Sequence, residues 1–296
     1  MQNDQASRTA LLIAASLVLL HRDPKYPGLV SKASADSCAQ MLEGHSPEAR
    51  LLLKIVRQGW FRPIAKLIDR ITIPGILLHY GLRKKCIAGL VRSALINGAT
   101  QVVVIGAGFD PLGFELHRDF PSAQFWEIDH PATQRYKLRA FPKIDVDRLH
   151  FVPADLNAAI LDNEALINSS FDPAQRTFWM AEGLLMYLPP DLVWSLMRSL
   201  GNMSAPGSQF AFTFMEKLAD GRIRFNPQNK LVDWWLRRRG EPFLWGTTRS
   251  DLVDFVRPWR VTRFFDHNDL RKIAYGLADQ HIAKGEVICL AEIGPA

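Results

Sequence analysis

The chain has 296 residues, 48% of them hydrophobic and 22% charged, so it carries ample material for a packed core and is neither a disordered nor a collagen-like sequence. Its formal charge of +6 and pI near 9.3 permit contact with nucleic acid or anionic surfaces without requiring it. Three cysteines, Cys38, Cys86 and Cys289, lie far apart with no CxxC pair. That spacing excludes a disulfide framework or a zinc site and points to free thiols in a reducing compartment, with no metal.

The N-terminal third reads as helices. Ala10 to Leu20 is an apolar run with the look of a signal-peptide core. The basic residue before it is Arg8 alone, and His21-Arg22-Asp23 stands where a small-residue cleavage site belongs. It is also too short to span a bilayer. The expectation is a buried helix in a soluble, cytoplasmic protein with no membrane partner. The pattern predicts helices at Ser7 to His21, around Ser34 to Leu42, at Glu48 to Arg57, Pro63 to Asp69 and Lys84 to Ile96, with Pro74-Gly75 and Gly81 as punctuation between them. Arg83-Lys84-Lys85 is either a solvated face or a basic cluster within reach of an anionic group.

Gln101 to Asp110, QVVVIGAGFD, is the stretch that organises the rest. Four β-branched residues in a row predict a strand buried on both faces, as in a helix-covered parallel sheet. Gly106-Ala107-Gly108 turns the chain and admits a ligand closely, and a helix start is expected near Pro111. Strand, glycine turn and helix form the first unit of a nucleotide-binding α/β domain. The position of a dinucleotide motif's third glycine is occupied by Pro111. Asp110 puts a carboxylate where a pyrophosphate would sit and would repel it. S-adenosylmethionine (SAM), which has a ribose and an adenine but no phosphate and carries positive sulfonium and ammonium groups, suits such a site better than NAD. The less favoured alternative is that Asp110 does no more than cap its helix.

Further strands are predicted at Ala123 to Ile128, Leu149 to Pro153, Thr177 to Ala181, Gln209 to Met215, Arg260 to Phe265 and Glu286 to Glu292. Asp129 ends the second strand 21 positions after Gly108, where a carboxylate can accept from both ribose hydroxyls. Glu127 shares its face, and strand-end position favours Asp129. Asp155 and Leu156 follow the third strand and suit the amino group and face of an adenine. Glu182 and Gly183 follow the fourth. Asp110, Asp129, Asp155 and Glu182 thus all fall just after strands, at the edge where open parallel sheets bind ligands. Residues 217 to 263 are rich in Arg and Trp. Asp233, Glu241, Asp251 and Asp254 break up the positive field, so two ordinary helices, Pro227 to Arg239 and Thr248 to Val256, are preferred over a nucleic-acid surface.

These stretches together resemble the leucine carboxyl methyltransferase family, and most of all its bacterial branch of small-molecule and polyketide O-methyltransferases. The resemblance rests on RKK at Arg83, QVVVIGAGFD, FWEIDHPATQRYK from Phe125, ADL from Ala154, AEGLLMYLPP from Ala181 and GEPFLWG from Gly240. It implies a class I SAM-dependent methyltransferase: an α/β, Rossmann-like fold with a seven-stranded, mostly parallel sheet and an antiparallel last strand. Residues 1–98 would form a helical lid and 99–296 the SAM-binding core. By resemblance, Arg83 would pair with the methionine carboxylate, Gly106 and Gly108 would line the methionine backbone, Asp129 would hold the ribose, Asp155 and Leu156 the adenine, and Glu182 would face the ammonium end. Tyr187 and Trp245 are candidate walls of the acceptor pocket. Pro111-Leu112-Gly113 departs from the Thr or Ser usual in the family, in a stretch expected to border that pocket.

The expected activity is in-line methyl transfer to an oxygen of a small molecule, a carboxylate or an acidic hydroxyl. A carboxylate needs no base, and no base is evident: His79, His117 and His267 have no partner visible in the sequence, and His130 is expected beside the ribose. The alternative acceptor is a macromolecule, a protein carboxyl terminus or a modified tRNA.

Overall fold

The structure is a computed structural model and describes residues 8–141, 147–156, 163–274, 276, 277 and 279–294. Five helices precede the sheet: α1 (Arg8–His21), α2 (Lys32–His45), α3 (Pro47–Val56), α4 (Phe61–Thr72) and α5 (Ile76–Ile96). The sheet then begins with β1 (Gln101–Ile105), α6 (Leu112–Asp119), β2 (Gln124–Asp129), α7 (Pro131–Ala140) and β3 (Leu149–Pro153). It continues through α8 (Asn163–Asn168), β4 (Thr177–Ala181), α9 (Pro190–Asn202) and β5 (Gln209–Glu216). The last part holds α10 (Lys230–Arg238), β6 (Gly246–Thr247), α11 (Arg249–Phe255), β7 (Arg260–Phe265), α12 (His267–Lys272) and β8 (Glu286–Glu292).

The strand order is β3-β2-β1-β4-β5-β8-β7. β1 to β5 are parallel, and β8 runs antiparallel between β5 and β7. The seven expected strands are all present and the last is antiparallel. An eighth, the two-residue β6, pairs with the end of β5. The strands alternate between two cores, as a period of two demands. Val102, Val104, Phe125, Phe178 and Met180 face the layer built from the N-terminal helices. Val103, Ile105, Trp126, Trp179 and Ala181 face the layer that includes α9 and α11. Every residue of β1 is buried, which is why its sequence shows an unbroken apolar run rather than alternation.

One sequence expectation needs correcting. Gly81 does not interrupt a helix: α5 runs through it for 21 residues. A Cβ there would stand 2.9 Å from Leu20 and 3.1 Å from Leu29, so this glycine is what lets α1 and α5 pack closely. The start of α5 is instead marked by Gly75 (φ +80°), and the Asp69 carboxylate accepts the N–H groups of Gly75 (2.8 Å) and Leu77 (2.9 Å). The Arg/Trp-rich segment does form two helices, α10 and α11, and Trp245 and Trp259 are buried in the core beside them. No helix among the described residues is long and apolar enough to cross a membrane.

Candidate functional site

The four strand-end acids meet at one cavity. Its lining includes Gly106, Gly108, Asp110, Asp129, Asp155, Leu156, Glu182 and Arg83, all of the residues singled out for the cofactor, and also Tyr187. Parallel strands deliver them: β1, β2, β3 and β4 end side by side, so the loops that follow share one edge. The glycine turn has positive φ at Gly106 (+66°) and Gly108 (+50°), angles that cost a side-chain-bearing residue about 1–2 kcal/mol. A Cβ on Gly106 would also press to 2.9 Å from Leu184.

α1 closes the cavity from above. Thr9, Ala10, Ile13 and Leu17 line it, and a Cβ on Gly108 would lie 3.5 Å from Ala10. The apolar N-terminal run therefore forms a buried helix whose one edge roofs the glycine turn.

A chain of alternating charges runs beneath. Glu286 on β8 receives both a hydrogen bond and an ion pair from Arg83 Nη1 (2.6 Å to Oε2). Arg83 Nε donates to Glu182 (2.7 Å), Lys84 Nζ lies 3.1 Å from Glu182 and 2.7 Å from Asp110, and Lys137 Nζ donates to the Asp110 carbonyl (2.6 Å). Lys137 in turn pairs with Glu127 at 2.6 Å, both fully buried. Burial alone would raise the Glu286 carboxyl, but Arg83 and His79 hold it down to about 2. Burial raises Glu127 to about 7, with Lys137 offsetting only part of that. Asp110 also loses solvation, yet Lys84 brings its pKa below the ordinary carboxylate value. Pairs of this kind persist in a dry interior because removing one partner would strand the other.

Asp110 ties the start of α6 to the cavity wall. Its Oδ1 accepts the Leu112 N–H (2.9 Å) at the first residue of α6, and its Oδ2 accepts from Lys84 (2.7 Å). Asp129 accepts N–H groups from Gly108 and His130, and these donors offset part of the rise that burial causes. Glu127 is turned away into the Lys137 pair, so strand-end position did identify the acid that faces the cavity. His130 caps α7 through Nδ1, and its Nε2 lies 4.0 Å from Asp155.

Three expectations about the site change. Trp245 does not reach the cavity; its indole packs on Phe255 in the core, centroids 5.5 Å apart. Pro111 and Leu112 line not the cavity itself but an adjoining hollow that shares Leu17, Lys84, Asp110 and Glu182 with it, and Gly113 lines neither. Gly113 leaves room for the buried Glu127, whose Oε1 would stand 2.6 Å from a Cβ at that position. His79 has a partner after all, with Nε2 2.8 Å from Glu286 Oε2, and His117 Nδ1 lies 2.9 Å from the Gly113 carbonyl. Neither histidine lines the cavity.

Sequence reasoning missed Thr9 and Glu241 as cavity residues, and flagged Lys84 only as part of the basic cluster. Glu241 follows α10, is buried, lines the cavity beside Tyr187 and accepts the Thr9 hydroxyl. The signal was present in GEPFLWG, but nothing local says which of its residues turns inward. Tyr187 lies against Phe243 (5.7 Å) and its phenol is shifted upward, chiefly by burial. Among the described residues no cluster of His, Cys, Asp or Glu could hold a metal ion, and all three cysteines are free and buried.

Comparison with known proteins agrees with this geometry. A Mycobacterium sp. (strain JLS) protein, named as a candidate S-adenosyl-L-methionine-dependent methyltransferase, is 32% identical over 180 residues, covering 56% of this chain and 58% of its own. The chain thus spans little more than half of that relative. A Mycobacteroides abscessus protein of the same description is 24% identical over 283 residues, covering 86% of this chain and 87% of its own. The fold is shared with a candidate methyltransferase from Thermobifida fusca (TM-score 0.56, 15% identity, covering 87% of this chain and 94% of that one). The model of the leucine carboxyl methyltransferase family matches residues 18–201. With that match over more than half its length, the chain belongs to the leucine carboxyl methyltransferase family, a family of SAM-dependent enzymes.

Proposed function

We propose that the protein transfers the methyl group of SAM to an oxygen of a small-molecule acceptor. The observation that carries this reading is the ring of Asp110, Asp129, Asp155 and Glu182 around a glycine turn, in one cavity that also holds Arg83. This set of acceptors fits a ligand with ribose hydroxyls, an amino-bearing base and positive charge, and it repels a pyrophosphate. In this reading Asp129 takes the ribose, Asp155 and Leu156 the adenine, Glu182 the ammonium end, and Arg83 the carboxylate. Arg83 lines the cavity while ion-paired, with its Nη2 on the side of Gly183, another lining residue. When bound, SAM would supply an already activated methyl group.

The chain's own work is then positioning and drying of the site. The helical region 1–98 acts as the lid, with α1 excluding water above the glycine turn, and 99–296 as the core. Ile13, Leu17, Leu184 and Leu188 give the cavity an apolar side, and Thr9, Tyr187 and Glu241 a polar one. Glu241 favours an acidic hydroxyl over a carboxylate as acceptor. A second carboxylate beside it would be repelled, whereas Glu241 could take up the proton of a hydroxyl.

Thermal unfolding with SAM, S-adenosylhomocysteine or NAD tests the cofactor. A ligand at a hundred times its Kd adds about 2.7 kcal/mol, a rise of several degrees for a chain of this size. A rise with SAM and its product but not NAD is expected, and a rise with NAD alone would overturn the reading.

A further inference from the structure

α4 carries its apolar face outward. Trp60, Ile64, Leu67, Ile68 and Ile71 recur at the spacing of a single helical face. All five are exposed, and the helix buries only Ala65. The surface continues onto α10. The Asn229 N–H donates to the Thr72 carbonyl (2.9 Å) and its side-chain amide to that of Ile71 (3.0 Å), so α10 starts where α4 ends. There Leu231 and Trp234 are again exposed, and with Trp60, Leu67 and Ile71 each is at least 57% so. Single exposed leucines are ordinary, but a connected apolar face of this extent marks a binding surface.

The charges beside the face identify its partner. Arg62, Lys66 and Arg70 form the next row of α4; Lys66 is paired with Asp23 (2.9 Å) and Arg62 donates to the Arg22 carbonyl (2.7 Å), while Arg70 is exposed. Asp69, the sole acid of that helix, is turned inward to cap α5. On α10, Lys230, Arg237 and Arg238 are exposed, Arg238 lies over the Trp234 ring (5.6 Å), and Asp233 is held by Gln228. An apolar face edged by cations repels a second copy of itself and complements an anionic bilayer. Tryptophans at its borders suit the headgroup region, where an indole has both an apolar and a wet side.

We propose that α4 and α10 form a docking face for anionic lipid bilayers, lying in the interface without spanning it. The sequence expectation of no membrane partner rested on the lack of a spanning segment, and a surface-lying helix needs none.

The experiment is cosedimentation of the full chain with vesicles of phosphatidylcholine alone or mixed with phosphatidylglycerol, at low and high salt. Binding to the mixed vesicles at low salt is expected. Arg70→Ser and Arg237→Ser should each weaken it by roughly fivefold. Leu67→Ser with Ile71→Ser should abolish it, and because both side chains are exposed the Tm should stay unchanged. Three results would each overturn the proposal: no binding to mixed vesicles, binding that survives Leu67→Ser with Ile71→Ser, or a dimer in sedimentation velocity that this double variant dissolves.

Discussion

Asp129 accepts the backbone N–H of Gly108, so the carboxylate that ends β2 holds the glycine turn that follows β1. The second oxygen accepts the His130 N–H at the entry to α7. One side chain thereby fixes two of the loops that line the cavity. The first prediction follows from this. Asp129→Ala should abolish the rise in Tm that SAM produces, and should itself cost about 1–3 kcal/mol for the donors left without an acceptor. Thermal unfolding with and without SAM measures both effects. An undiminished ligand shift would remove Asp129 from the site.

Gly28 and Gly75 have similar backbone angles, φ +69° and +80°, but different surroundings. A Cβ on Gly28 meets nothing within 4 Å, while one on Gly75 would lie 2.4 Å from the His281 carbonyl oxygen. Gly28→Ala should therefore cost only the left-handed strain, about 1–2 kcal/mol. Gly75→Ala should cost clearly more, since backbone cannot swing aside. Urea unfolding of the two variants side by side gives the comparison, and equal losses would refute it.

Glu286 sets an acid limit on stability. Its pKa is about 2 in the folded chain against an ordinary 4.5, so its contribution is complete above pH 4.5 and is lost as pH falls toward 2. The size is on the order of 3 kcal/mol. Glu286→Gln should cost about 3–5 kcal/mol at neutral pH, because Arg83 keeps only Glu182, and should flatten the stability curve below pH 4.5. Glu127 has the opposite sign. With its pKa raised to about 7, the folded chain holds a proton that the unfolded chain has released, and stability declines between pH 4.5 and 7. Chemical unfolding across pH 2 to 8 resolves the two windows.

Tyr187, Glu241 and Trp245 should separate by what they change. Tyr187→Phe is expected to raise the KM for the acceptor and leave SAM binding intact. Glu241→Gln should lower kcat about 10²–10⁴-fold with a hydroxyl acceptor, again without a loss in the SAM-induced shift. Trp245→Ala should destabilise by about 3–5 kcal/mol through the cavity it leaves, with steady-state constants of the surviving folded protein unchanged. A Trp245 variant that folds normally but fails in acceptor binding would reverse the present assignment.

The sheet was legible because its strands are short, apolar and bounded by turns, and Val102 to Ile105 allow no other reading. The strand-end acids were legible for the same reason, since strand ends locate them. What escaped was whatever depends on a distant partner. His79 looks idle until β8 brings Glu286 to it across 207 positions. Gly81 reads as a helix breaker until α1 lies against it. Trp245 resembles a pocket wall because aromatics line pockets and cores alike, and only packing tells them apart. The helical period of α4 was visible, but a pattern states that a helix has two faces and does not state which one meets solvent.

The ion pair between Arg83 and Glu286 also imposes an order of events during synthesis. The guanidinium leaves the ribosome 203 residues before its carboxylate. At a translation rate of about 5–20 residues per second, that is a wait of roughly 10–40 s. Through that interval the nascent helices can form, but the cationic end of the cavity cannot close, because β8 is the strand inserted between β5 and β7 and it arrives last. A ribosome stalled ahead of Glu286 would therefore hold a chain with most of its sheet and no finished binding site.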